Sequence, residues 1–358
     1  MPAVHAAGPD LVDDALRALL EHGAARADAL GSRYRGLWAD LAAATAGGQR
    51  RRPALLLGAY RAYGGTDDRL AARVAAAVEL LHTAFVVHDD VIDGDLVRRG
   101  RPNVGGAAVR RARTTGADEH GARAYADASG ILAGDLALTA ALRALALCGA
   151  PHDAMLRLHD LVDTAVHASA AGELADVGQS VGVSASASAG PDASLDEVLR
   201  TAELKTAAYS FALPLQAGAV LAGAPDDVVD RLAEVGRLCG VAFQLQDDVV
   251  GTFGDEARSG KSRLSDLREG RWTALVAHAR TTAAWPSVAP FHGSPRLTRE
   301  QADRVCALLE ECGSRRVVER LAEDRLAAAL ALADEVGLPR ELLAWVGART
   351  AGLLRGAA

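Results

Sequence analysis

Aromatic residues are scarce: five Phe, five Tyr and four Trp make up 4% of the 358 residues. With so few rings, and with a net charge of −7 and no long basic run, the chain lacks the stacking platform and the electrostatic footprint of a nucleic-acid binder. Cysteine is also rare. Cys148, Cys239, Cys306 and Cys312 are scattered, with no CxxC pair and no neighbouring histidines, so a zinc pattern is absent and reduced thiols packed in helices are expected. No apolar run reaches about 18 residues without a charge; Ile131 to Leu147 comes closest, but Asp135 and Arg143 interrupt it. The N-terminus has no basic stretch followed by an apolar one, so no secretory leader, no membrane span and a cytoplasmic location are expected. Strand-like alternation and fixed-period repeats are lacking too.

What is present is helix-forming. Half the residues are hydrophobic, alanine and leucine dominate, and prolines number only 12. Strong helix formers in bulk argue for an all-α protein. The length suits one large domain, read here as residues 1–358, with a flexible N-terminus over about 1–9 and loops over about 181–197 and 283–297. Val12, Leu16, Leu19 and Leu20 have amphipathic helical spacing. Thr66-Asp67-Asp68 reads as a helix start, opening a segment that runs to about Asp93 without Pro or Gly. Further helices are expected over 122–148, 152–178, 195–222, 226–253 and 271–282, and Thr298 with Gln301 resembles a capping box.

The stretch HDDVIDGDLVRRGRP, residues 88–102, gathers Asp89, Asp90, Asp93 and Asp95 ahead of Arg98, Arg99 and Arg101. Leu81, Phe85, Asp89 and Asp93 follow at steps of four, so one helix face carries an aromatic plug and then two carboxylates. Asp90 lies about 100° round, close enough to share an ion. Like charges this dense are tolerable on a solvated face or around divalent cations, and oxygen ligands without His or Cys suit Mg²⁺. The pattern returns later: Gln244, Asp247 and Asp248 end a second apolar helix, with Asp255 and Lys261 beyond Gly254. Two such pairs could face one another across a cavity.

At these residues the chain resembles the trans-polyprenyl diphosphate synthases, a class I isoprenoid synthase family, with the flavour of actinobacterial geranylgeranyl diphosphate synthases. Asp89-Asp90-Val91-Ile92-Asp93 with Arg98-Arg99-Gly100-Arg101-Pro102 matches DDxxD…RRGxP. Phe243, Gln244, Asp247, Asp248, Gly254-Asp255 and Gly260-Lys261 match FQxxDD…GD…GK. ELLH at 79–82, ILAGDL at 131–136 and KTAAYSFALPLQAGA at 205–219 match as well.

The resemblance implies a single bundle of antiparallel helices around a deep central cavity, a homodimer, and condensation of an allylic diphosphate with isopentenyl diphosphate. It implies that Asp89, Asp90, Asp93, Asp247 and Asp248 hold three Mg²⁺ ions against the allylic diphosphate, with Arg98, Lys205 and Lys261 gripping that group. Arg52, His82 and Arg99 would hold isopentenyl diphosphate, and Thr206 and Gln244 would line the reaction centre. Phe85, one turn before Asp89, would be a floor that stops the product at C15 to C20, with C20 favoured.

Four departures bear on this. Gly47-Gly48-Gln49-Arg50-Arg51-Arg52-Pro53 has Gln49 where the family pattern has a substrate-binding lysine, and Arg51 is a candidate substitute. Gly251 replaces a third acid, and Gly172-Glu173-Leu174-Ala175-Asp176 has Glu173 in place of Gln. GKSRLSDL replaces GKPxGxDL, and Arg271, a further substrate-contacting position, replaces a lysine. With the isopentenyl half altered, two other readings stay open: a terpene synthase acting on one prenyl diphosphate, and a non-catalytic partner subunit.

Overall fold

In the computed structural model, residues 8–183, 193–254 and 263–347 are described. They are helical almost throughout. The helices gather into two compact units, one drawn from residues 1–160 and 217–224, the other from 161–216 and 225–358.

The first unit opens with α1 (Gly8–Asp28), α2 (Ser32–Thr45) and α3 (Arg51–Ala62). Val12, Leu16, Leu19 and Leu20 lie on α1 as their spacing indicates, and Gly31, with a φ of 105°, separates α1 from α2. Next comes α4 (Asp68–Ile92), begun where the sequence indicates: the Asp67 side chain accepts from the Leu70 backbone N–H at 2.9 Å. A two-residue hairpin, β1 (Val97–Arg98) with β2 (Arg101–Pro102), is the one sheet among the described residues. It is too short for any alternation to show in the sequence. α5 (Val104–Thr114) and α6 (Glu119–Ala146) follow, capped by Asn103 and Asp118.

α4 is the central helix of this unit and packs on α6. Two glycines make the approach close. A Cβ on Gly130 would fall 2.2 Å from Val91 Cγ2, and one on Gly134 would fall 2.1 Å from His88 Nε2. α6 therefore offers a flat strip to the turn of α4 that carries the aspartates. α4 and α6 are both long and apolar enough to cross a membrane by length and composition. The apolar window of α4 is 78% buried, as in a core helix; that of α6 is 39% buried and leaves Ile131, Leu132 and Leu142 exposed.

α7 (His152–Ser180) leads into the second unit. The segment 184–192, part of the expected 181–197 connection, lies outside the described residues. α8 (Leu195–Ala202) starts in a capping box between Ser194 and Glu197. It continues as a π-helix, Glu203–Ala212, and then α9 (Leu213–Leu221). α10 (Asp226–Phe253) forms the spine of this unit against the π-helix and α15 (Ser314–Glu335). Between them lie α11 (Arg263–Glu269), α12 (Ala274–Arg280), α13 (Trp285–Val288) and α14 (Arg299–Glu311). The short α13 and the 3-10 turn Ala289–Phe291 occupy what the sequence suggests is a plain loop over 283–297. The capping box of Thr298 and Gln301 is formed.

The π-helix is held by small residues. A Cβ on Gly240 of α10 would meet Ala207 Cβ at 2.3 Å, one on Gly236 would meet Ala212 at 2.4 Å, and one on Gly172 of α7 would meet the Lys205 backbone nitrogen at 2.3 Å. Irregular helical turns of this kind concentrate at functional sites, and this one carries Lys205 and Thr206. The four cysteines are free thiols, Cys148 and Cys239 being buried.

Candidate active site

In the first unit, the last turns of α4 and the hairpin after it build one charged group. Asp89 and Asp90 are tied by a single guanidinium: Arg98 Nε donates to Asp90 Oδ1 at 2.7 Å and Arg98 Nη2 donates to Asp89 Oδ2 at 3.0 Å. Asp90 is buried, and burial pushes its carboxyl above the usual range; Arg98 and Asn103 oppose that rise and Asp89 adds to it. Asp93 is the C-cap of α4, its backbone N–H donating to the Asp89 carbonyl at 2.9 Å. Phe85 lies one turn before Asp89, half-buried. His88, adjacent to Asp89 in sequence, turns instead towards α6, 3.4 Å from Asp135 Oδ1 and from the Ile131 carbonyl.

A second, basic group lies in the same unit. His82 sits where burial depresses its pKa well below the usual value, and Arg52, Arg99, Arg98 and Arg50 push it further down. Four guanidiniums are therefore near one neutral imidazole. Arg50 and Arg99 are the only non-glycine residues with positive φ among those described, at 47° and 53°. A left-handed L-residue costs roughly 1–2 kcal/mol, and such strain concentrates at functional sites. Arg50 ties the start of α3 to its surroundings, donating to Asp13 at 2.9 Å, to the Thr45 carbonyl at 3.1 Å and to buried Glu79 at 3.0 Å. The Arg99 guanidinium comes near Gly48, 3.3 Å from where a Cβ there would stand. Gln49 does not stand alone: its Oε1 accepts from Arg51 Nε at 2.5 Å.

In the second unit, Lys205 Nζ donates to Glu173 Oε1 at 3.0 Å and to Asp176 Oδ2 at 2.6 Å. Glu173, in place of Gln, is thus an acid engaged with Lys205. Arg271 bonds Glu269 at 2.7 Å, and its Nη1 is 3.8 Å from Asp176. Beside these, Thr206 Oγ1 donates to Gln244 Oε1 at 3.0 Å, and Gln244 Nε2 donates to Asp248 Oδ1 at 2.9 Å. The Ala274 N–H reaches Asp248 Oδ2 at 3.3 Å. Burial pushes Asp248 up to about 7; the Gln244 amide and Ala274 N–H work against that, while Asp266 and Asp247 add like charge. Asp266 belongs to GKSRLSDL, so the sequence carried the signal for this third acid. Lys261 and Asp255 lie outside the described residues. Trp272 is packing, against Trp285 and His292.

The donors fit magnesium. Asp89, Asp90, Asp93, Asp247 and Asp248 offer only oxygen, and like-charged neighbours around buried Asp248 are what a divalent cation relieves. Among the described residues no three His, Cys, Asp or Glu side chains form a closed metal cage. Mg²⁺ usually takes one or two carboxylates and completes its shell with waters and substrate phosphate.

An all-helical scaffold with oxygen-only carboxylates, a lysine on a π-helix and a separate arginine group defines a phosphate-handling enzyme. Comparison with known proteins makes this particular. A family model described as polyprenyl synthetase matches residues 39–288. The (2E,6E)-farnesyl diphosphate synthase of Mycobacterium tuberculosis is 34% identical over 303 residues, 82% of this chain and 75% of that protein. The geranylgeranyl diphosphate synthase of Methanosarcina mazei is 32% identical over 277 residues, 77% of this chain and 76% of that protein. Among solved structures, geranylgeranyl pyrophosphate synthase from Corynebacterium glutamicum, complexed with isoprenyl diphosphate and magnesium, aligns with a TM-score of 0.84 and 28% identity over 96% of each chain. The chain belongs to the polyprenyl synthetase family, and it is a prenyltransferase.

Proposed function

We propose that this enzyme condenses an allylic diphosphate with isopentenyl diphosphate and releases a C15 to C20 prenyl diphosphate, geranylgeranyl diphosphate being favoured. The observation that carries this reading is the division of charge within the first unit. One end of α4 presents carboxylates suited to a metal-bound diphosphate. The group around His82 adds Arg52 and Arg99 to Arg98, which the aspartates hold, and to Arg50, which Asp13 and Glu79 hold; such a concentration of guanidiniums suits a diphosphate that arrives without metal. A terpene synthase acting on one prenyl diphosphate needs only the first. Relatives named as farnesyl and geranylgeranyl diphosphate synthases support elongation too.

In this reading Asp89, Asp90, Asp93, Asp247 and Asp248 hold three Mg²⁺ ions. Magnesium there would neutralise the allylic diphosphate and improve it as a leaving group. Arg98, Lys205, Lys261 and Arg271 add cationic contacts to that diphosphate, and Lys205 must exchange an acid partner to do so. Arg52, Arg99 and neutral His82 bind isopentenyl diphosphate. The Thr206–Gln244–Asp248 chain fixes the amide of Gln244 beside the reaction centre, where apolar walls shield an allylic cation from water. The isopentenyl alkene attacks that cation, and a proton is lost to the released pyrophosphate. Phe85 limits product length.

The family match crosses both units, which supports one catalytic domain. Exposed Ile131 and Leu142, three turns apart on α6, support a homodimer, since such an apolar face calls for cover.

The test is a product assay with Mg²⁺. One arm receives farnesyl or geranylgeranyl diphosphate alone; the other receives isopentenyl diphosphate with dimethylallyl, geranyl or farnesyl diphosphate. A C15 or C20 prenyl alcohol, only in the second arm and only after phosphatase, is expected. A hydrocarbon or free terpene alcohol in the first arm would overturn the reading.

A further inference from the structure

One stripe of α10 meets the π-helix in the second unit. Gly236, Gly240 and Gln244 follow at steps of four on that stripe. A Cβ on Gly236 would meet Ala212 Cα at 2.4 Å, and one on Gly240 would meet Ala207 Cβ at 2.3 Å and Phe211 Cδ2 at 3.1 Å. At the third position Gln244 accepts from Thr206 at 3.0 Å. The glycine contacts let the two helices approach, but apolar contact is non-directional and does not by itself fix how far one helix slides along the other. The single polar bond of the stripe depends on that register.

Three rings beside the stripe fix it. Phe211 of the π-helix and Phe243 of α10 have centroids 5.5 Å apart and planes at 52°. Trp345 contacts both: it stacks on Phe211 at 5.6 Å and 16°, and meets Phe243 edge-on at 5.7 Å and 67°. Such ring pairs carry preferred geometries, so the cluster is directional where the glycines are not. Trp345 follows the 3-10 turn Arg340–Leu342. Leu343 and Val346, on either side of it, are buried, and a Cβ on Gly347 would stand 3.1 Å from Leu326 of α15, so the turn that bears Trp345 is itself anchored. The residue lies beyond 39–288, the span that the family model matches.

We propose that Trp345 is a positioning residue for the reaction centre: by bridging Phe211 and Phe243 it holds the π-helix on α10 in the register at which Thr206 binds the Gln244 amide. This rests on the elongation reading above, in which Gln244 stands beside the reacting carbons. Phe243 directly precedes Gln244, and Phe211 shares the π-helix with Thr206, so both partners of the bond are next to a ring that Trp345 holds. Trp345 acts through those two phenyl rings, not on substrate.

The test is steady-state turnover of the full-length protein with Mg²⁺, isopentenyl diphosphate and an allylic diphosphate, well below every variant's melting temperature. Trp345→Leu is expected to lower kcat about tenfold, the scale of a loosened reacting geometry, while both KM values stay within about twofold. Trp345→Phe, which keeps a ring against Phe211, should return kcat to within about threefold of wild type. Gln244→Leu removes the amide that the rings position, so adding Trp345→Leu to it should lower kcat no more than about twofold further. A purely structural role would lower the melting temperature, leave kcat per folded molecule unchanged and show no such coupling. Phe211→Leu opens the ring cluster from the π-helix side and takes the place of Trp345→Leu in the cycle should that protein not fold. A kcat within about twofold of wild type, or losses that multiply in the double variant, overturns the assignment and leaves the elongation reading standing. Wild-type protein that makes no C15 or C20 prenyl diphosphate overturns both.

Discussion

Gly172→Ala tests whether the close crossing of α7 and the π-helix positions the site lysine. The added Cβ would fall 2.3 Å from the Lys205 nitrogen and 2.8 Å from both Leu204 C and Lys205 Cα. All three are backbone atoms, so no rotamer change relieves the clash; the two helices must separate. Overpacking of this kind costs about 1–3 kcal/mol, and alanine returns up to about 1 kcal/mol through helix propensity. A net loss of about 1–2 kcal/mol is expected in urea unfolding. The same shift moves Lys205 relative to Glu173 and Asp176, which stand on α7 just after Gly172, so the KM for the allylic diphosphate should change with it. Gly36→Ala is the control. Its Cβ would meet only the Arg111 guanidinium, at 3.6 Å, with no positive φ to forbid it. That change should stabilise by up to about 1 kcal/mol. A Gly172→Ala protein with wild-type stability and wild-type KM would refute the reasoning, as would equal destabilisation by both changes.

His82→Gln should flatten the acid limb of the stability curve. The depressed pKa of folded His82 means that the unfolded state alone takes the proton below about 6.5. Stability is therefore full above that pH and falls below it by about 1.4 kcal/mol per pH unit for this group, until the folded pKa is reached; urea midpoints from pH 7.5 to 5 for both proteins measure the difference, and parallel curves would refute it. Glu173→Gln removes a carboxylate from Lys205, and the KM for the allylic diphosphate should drop about twofold to fivefold, the scale of one partly screened pair; a rise would show that Glu173 holds Lys205 in place for substrate. Phe85→Ala should lengthen the product, read by mass spectrometry after phosphatase, and an unchanged product would count against the floor role.

Much of the fold was legible because its signals are local. The start of α4 needed only Thr66-Asp67-Asp68, and the Asp67 cap is formed as expected. Thr298 and Gln301 form their box for the same reason. The carboxylate face of α4 followed from helical periodicity, which placed Asp89 and Asp90 near enough for one arginine to bind both. What stayed hidden depends on distant contacts. The π-helix has no sequence period of its own; it is accommodated because Gly172, Gly236 and Gly240 let backbone approach backbone. Glu173 could be read as a departure, but only packing reveals that it binds Lys205. The acids around Asp248 come from α10 and from Asp266, so their mutual influence could not be read from a motif.

Two of the charge-changing departures, at 49 and 173, act in the same direction when charge alone is counted. Gln49 withdraws a positive charge from one diphosphate's site, and Glu173 adds a negative charge beside the other's. Their surroundings make them unlike. Gln49 has an arginine two residues away already bonded to it, on the same short segment, so a guanidinium stands beside the changed position. Glu173 has no such remedy in its own bond: it uses up a donor of Lys205, the group proposed to grip the allylic diphosphate. Arg271 offers partial relief through Asp176, but at 3.8 Å and while engaged with Glu269 it is a weak counterweight. A loss that a neighbour makes good leaves substrate use intact, whereas a clamp that competes with substrate sets affinity. The isopentenyl side, which looks more altered in sequence, is therefore the better compensated. The allylic side, whose first aspartate motif matches the family pattern, carries the departure expected to tune the enzyme.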